Sequence, residues 1–97
     1  MIDERLYVVT YDIGDAKRWR RVFKAMHGYG EWIQLSVFQC RLSRRRRAEL
    51  ETRLRELVKN AEDHVLLIDV GPADKIELAM ESIGKTFSKI ERRATVI

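Results

Sequence analysis

"VVTYDIGDAKRWRR", residues 8–21, decides the fold. An apolar run ends on Asp12, Gly14 and Asp15 follow, and five cations fall between Lys17 and Lys24. Valine, tyrosine and threonine suit a pleated strand. Asp15 suits a helix start, because its carboxylate accepts from the orphan amides of the first turn. The stretch therefore reads as a strand, Arg5–Ile13, that turns directly into a helix. Leu6, Val8 and Thr10 fall on one side of that strand, and Tyr7, Val9 and Tyr11 on the other. Both sides are largely apolar, so both faces of the sheet are expected to be covered. Trp19, Val22, Phe23 and Met26 repeat at helical spacing and form the inward stripe. Arg18, Arg20, Arg21 and Lys24 lie largely off it. "HGYGE", residues 27–31, ends the helix, with Gly28 or Gly30 as its C′ residue.

The rest of the chain extends this pattern. "WIQLSVFQCRL", residues 32–42, is too long for one ordinary strand and is divided into two at a bend near Leu35–Ser36. Ser43 caps a second helix whose buried stripe is Leu50, Leu54, Leu57 and Val58. Glu49 with Arg53, and Glu51 with Arg55, are its expected i,i+4 pairs. "HVLLIDVG", residues 64–71, is a further strand, apolar on both faces and broken by Gly71-Pro72. Asp74 with Glu77 resembles a capping box for a short third helix, Lys75 to Ile83, stopped by Gly84. "KIERRATVI", at the end of the chain, reads as a last strand. The first six elements run β-α-β-β-α-β, the ferredoxin-like α+β arrangement. Two helices cover one sheet face, and a second copy of the chain is the simplest cover for the other, giving a two-fold homodimer.

With 97 residues the chain is expected to form a single domain over residues 1–97. It is 45% apolar and 35% charged, which is globular and not disordered. No apolar run approaches a membrane span, and "MIDERLYVV" lacks a signal-peptide core, so a cytoplasmic protein is expected. The single cysteine, Cys40, rules out an internal disulfide among its own residues. Lysine and arginine number 19 against 15 acids, a net +4 dominated by arginine. Arginine suits bidentate phosphate contact, so a nucleic acid is the expected polyanionic partner.

There is no P-loop, GxGxxG or GxSxG, and one Cys with two His is too few for a zinc cluster. His27 reads as a cation at a helix end, His64 as a surface residue and Cys40 as a small core residue. Asp12 stands out, because aspartate is depleted in strands. It either closes the β–α turn or holds a hard cation such as Mg²⁺, which binds through one or two carboxylates, water and substrate phosphate. A dimer axis that paired two copies of Asp12 would complete such a site. The "RRRR" run, residues 44–47, opposes the dipole of the second helix at roughly tenths of a kcal/mol per residue. Phosphate contact and a plain solvated helix start both account for it, and the same two readings hold for Arg18, Arg20 and Arg21.

"VVTYDI" followed by a basic helix, and "WIQLSVFQC" with Gln34, Ser36, Val37, Phe38 and Cys40, resemble one known family across essentially the whole chain. This is the family of small CRISPR-associated adaptation proteins, the smaller of the two core spacer-acquisition proteins, described as metal-dependent endoribonucleases. The resemblance implies a ferredoxin-like homodimer whose extra C-terminal strand, residues 84–97, packs on the partner subunit. It implies Mg²⁺ at Asp12, at one site shared across the dimer axis. Tyr11 is implied as the neighbouring catalytic aromatic, Phe38 as the aromatic of the second block, and Arg18, Arg20, Arg21, Arg44 and Arg47 as nucleic-acid contacts. Two positions depart from the family pattern: Trp32 stands where many members carry arginine, and Gln39 where many carry glutamate.

Two functions follow from the resemblance. One is a Mg²⁺-dependent endonuclease acting on RNA or on double-stranded DNA. The other is a non-catalytic dimeric scaffold that clamps duplex DNA and bridges copies of the larger adaptation integrase. An RNA-recognition module of the same topology is disfavoured, because "LSVFQCRL" lacks the glycines and paired aromatics of its stacking block.

Overall fold

The computed structural model describes residues 3–84. The elements are β1 (Glu4–Asp12), α1 (Ala16–Met26), β2 (Glu31–Gln34), β3 (Val37–Ser43), α2 (Arg44–Leu57) and β4 (His64–Pro72). The four strands form one antiparallel sheet in the order β2-β3-β1-β4. This is the ferredoxin-like order expected from the sequence.

Both helices lie on the sheet face that carries Tyr7, Val9, Tyr11, Phe38, Cys40 and Leu42. Val22 and Met26 of α1 and Leu50 and Leu54 of α2 complete that core, with Trp19, Phe23, Leu57 and Val58 packed at its margin. Phe38 is the hub: the Tyr11 ring stacks on it at 6.3 Å, and the Phe23 and His27 rings meet it edge-on. Asp15 caps α1, its Oδ2 accepting from the Arg18 amide at 2.9 Å, and Ser43 caps α2 through Arg46 N. Gly30 serves a purpose other than ending α1. A Cβ there would lie 2.3 Å from the Gln39 carbonyl and 2.4 Å from Cys40 Sγ, so only glycine lets β2 enter against β3.

The opposite sheet face is apolar and open. Leu66, Ile68 and Val70 of β4 are 52%, 48% and 37% exposed, beside Val8 of β1. At one end of this face Leu6 is fully buried. There the chain turns at Pro72, the Ala73 amide donates to the Glu4 carbonyl at 2.8 Å, and Ile76 lies over Gly71. Gly71 has φ +143°, which a side chain would resist, and a Cβ would meet Ile76 Cδ1 at 2.2 Å.

The third helix expected over Lys75 to Ile83 does not form; residues 76–83 carry no regular structure. Arg41 Nη1 donates to the carbonyls of Ala73 and Ile76, at 2.9 and 3.3 Å, and takes an acceptor the helix would need. Nine residues are also too few to stand as an isolated helix. On α2, Glu51 pairs with Arg55 as expected, but Glu49 pairs with Arg45 and Arg46, and Arg53 turns to Glu56. His27 is not the expected helix-end cation: burial pulls its pKa down, and its ring packs on Phe23 and Phe38. The expected C-terminal strand lies outside the described residues. Among the described residues no helix is long and apolar enough to cross a membrane.

Candidate functional site

Asp12 is the last residue of β1 and pairs in register with His64, the first residue of β4. Both are exposed. Alternation along the strand turns Tyr11 into the core and Asp12 to the opposite side, so the two neighbours cannot act on one reacting group. Tyr11 is 6% exposed, its hydroxyl is buried without a hydrogen-bond partner among the described residues, and burial pushes its pKa up. In this chain Tyr11 packs in the core against Trp19 and Phe38. Phe38 is likewise a core ring, at 0% exposure.

The Asp12 carboxylate has no hydrogen bond or ion pair among the described residues, unlike the carboxylates around it. Asp15 is spent on the α1 cap, and the Arg18 amide lowers its pKa. Asp63 is spent more completely. Its side chain is fully buried and accepts from Gly14 N, Lys59 N and the Arg18 guanidinium, each at 2.8 Å. The Arg18 hydrogen bond, reinforced by those two amides against the cost of burial, holds the Asp63 carboxyl far below the usual carboxylate range. The sequence gives little sign of Asp63, because its partners lie up to 49 positions away.

Arg18 is engaged within the chain. Its Nε and Nη2 are bound by Asp63 and Glu62, the latter at 3.0 Å, so it fastens α1 to the loop before β4. The exposed cations of α1 are instead Lys17, Arg20, Arg21 and Lys24. Their spacing of 3, 1 and 3 puts all four on one helical face, opposite Trp19, Val22 and Met26. None of the four has an acidic partner among the described residues. Lys17 joins the arginines and Lys24 through its i, i+3, i+4, i+7 spacing, a signal the sequence carries.

The start of α2 is at the other end of the sheet. Ser43 pairs with Glu4, eight residues from Asp12, which is roughly 26 Å along an extended strand. Arg44 is exposed and unpaired among the described residues. Arg47 is bound to Glu51 and lies over the Tyr7 ring at 5.8 Å, so it is less free than the sequence suggests. Arg46 donates to the Gly28 carbonyl at 2.6 Å and covers Tyr29, which ties the start of α2 to the end of α1. The free cations thus run along α1, from the Asp12 end of the sheet toward Arg44.

Among the described residues no three His, Cys, Asp or Glu side chains are grouped to hold a metal ion. At the end of β1, one chain therefore offers a divalent cation one carboxylate without a partner among the described residues, Asp12. That donor is of the right chemistry for Mg²⁺, and a second copy would bring the number into range.

Relatives carry the same architecture. A solved hypothetical protein from Thermus thermophilus superposes with a TM-score of 0.71 at 33% identity, covering 84% of this chain and 93% of its own. A solved Cas2 gives the same score and identity over 88% and 94%. A protein of Geobacter sulfurreducens named CRISPR-associated endoribonuclease Cas2 is 54% identical over 97% of this chain and 99% of its own length. A Rhodospirillum rubrum protein named CRISPR-associated endoribonuclease Cas2 1 is 55% identical over 97% and 92%. The family model for CRISPR associated protein Cas2 matches residues 5–76, from the start of β1 to the strap over Gly71. With that match, and identity above half along nearly its whole length, the chain belongs to the CRISPR-associated protein Cas2 family.

Proposed function

We propose that this chain is a homodimeric, Mg²⁺-dependent endonuclease of CRISPR adaptation, cleaving phosphodiesters of RNA or of double-stranded DNA. The observation that carries the reading is the pairing of a free, exposed carboxylate at Asp12 with a free cationic face on the helix that follows it. Relatives named endoribonucleases support the same chemistry. The open apolar face of Val8, Leu66, Ile68 and Val70 supports a second copy as the missing cover.

In this reading the two Asp12 carboxylates of the dimer hold the cation. A divalent ion so held supplies Lewis-acid polarisation of a phosphodiester and lowers the pKa of bound water. Lys17, Arg20, Arg21 and Lys24 bind the sugar–phosphate backbone and set its path past Asp12. Arg44 extends that track. Arg18 and Asp63 fix the angle between α1 and the sheet, and so the distance from the cations to the carboxylate.

A second reading rests on the same cationic face. The dimer bridges copies of the larger adaptation integrase and clamps a duplex through phosphate contacts, with cleavage secondary. The two readings separate in one experiment: cleavage and duplex binding by wild type and Asp12→Asn, each with Mg²⁺ and with chelator. The nuclease reading requires cleavage lost and binding kept in Asp12→Asn. Equal cleavage by both proteins leaves the scaffold reading alone.

A further inference from the structure

The hairpin between β2 and β3 closes through a two-residue loop, Leu35–Ser36, between the paired Gln34 and Val37. Leu35 has φ +41°, the only non-glycine residue in the left-handed region among the described residues. Tight hairpin loops accept that conformation readily from glycine or asparagine, and leucine resists it. Leu35 is also 74% exposed. An exposed leucine alone is ordinary. Here exposure and backbone strain coincide at a position where a small polar residue would relieve both.

The loop is also braced. Trp32 Nε1 donates to the Leu35 carbonyl at 3.0 Å, Trp19 Nε1 donates to Ser36 Oγ at 2.7 Å, and the Tyr11 amide donates to the Ser36 carbonyl at 3.2 Å. Two of these three bonds come from chain neighbours of the candidate site. Tyr11 immediately precedes the free Asp12, and Trp19 stands on the helix that carries the free cations. The strained leucine is thus held rigidly at the end of β1 that carries Asp12. Backbone strain that surroundings over-determine in this way points to function.

We infer that Leu35 is a positioning residue for nucleic acid. It packs against the base or sugar edge of the strand whose phosphate lies at Asp12, and it fixes which phosphodiester stops there. Cations alone hold a backbone without fixing its register. An aliphatic side chain on a rigid tip supplies that stop, as apolar wedges do at base steps. Trp32 takes part by holding the tip. The inference rests on the nucleic-acid reading of the preceding subsection and adds a residue to it.

The test uses Leu35→Gly, Leu35→Asn and Leu35→Met in the full chain. Glycine and asparagine accept the positive φ, so both variants are expected to melt at or above the wild-type temperature. Binding is read by anisotropy with a labelled single-stranded RNA in chelator, and turnover is read with Mg²⁺. Glycine and asparagine are expected to weaken binding about tenfold, as the loss of one buried leucine contact predicts. They should raise KM with little change in kcat, and methionine should restore both values. Unchanged affinity and KM in Leu35→Gly, with binding still lost in Arg20→Glu/Arg21→Glu, overturns the role of Leu35 and leaves the site reading intact. Wild-type protein that binds neither this RNA nor a labelled duplex overturns both together, and the Leu35 comparison is read on whichever of the two it binds.

Discussion

The free face of α1 makes a quantitative prediction about salt. If Lys17, Arg20, Arg21 and Lys24 each neutralise one phosphate of a duplex, log affinity falls with log salt at a slope near −3.6 per protomer. Affinity then drops roughly 150-fold between about 50 and 200 mM salt. Arg20→Ala/Arg21→Ala halves the number of contacts, so the slope becomes roughly −1.8 and the same change in salt costs roughly 12-fold. Neither arginine has a partner among the described residues, so the double variant should melt at the wild-type temperature. Arg53→Ala, a cation already facing Glu56 at 3.6 Å, serves as the control and should leave the slope unchanged. The assay is anisotropy of a labelled duplex across a salt series, without divalent ions. A double variant with the wild-type slope would refute the argument, because the cations that face solvent would then not be the ones that meet phosphate.

Three further outcomes follow. Asp63 has its pKa depressed in the folded state, so its stabilisation is fully present above the unfolded value near 4 and is lost as pH falls through and below it; thermal melts should show wild type losing stability below about pH 5, and Asp63→Asn starting lower at neutral pH with a flatter acid limb. Phe38→Ala should cost about 3–5 kcal/mol in urea unfolding, with duplex affinity of the folded fraction unchanged, as befits a fully buried ring. Ile68→Asp puts a charge at the centre of the open apolar face, and sedimentation should show the wild-type dimer converted to monomer without loss of the helix-side core.

Most of the fold was legible because local and tertiary signals agree. β1, both capped helices and the break at Leu35–Ser36 are set by patterns a few residues long, and each finds its packing partner where the pattern points. The third helix failed for the opposite reason. Asp74 and Glu77 carry a helix-start signal, but Arg41, more than thirty positions earlier, takes the carbonyls of Ala73 and Ile76. The site was legible in part. Asp12 and the arginines of α1 were visible as residues, but which arginine is free depends on Asp63 and Glu62, brought up by the loop before β4. Tyr11 and Phe38 were named through a family pattern that does not distinguish a core aromatic from a contact. The strain at Leu35 is a property of φ and has no signature in a leucine codon's neighbours.

The central claim is that Asp12 ends its strand in order to hold a metal beside the cationic helix. Its most direct test is single-turnover cleavage of RNA and of duplex DNA by Asp12→Asn at matched Mg²⁺, with melting temperature and duplex affinity measured on the same preparation. The account predicts cleavage at the chelator baseline, with wild-type melting and wild-type binding. Cleavage at the wild-type rate by folded Asp12→Asn would contradict it, and would make Asp12 a turn residue.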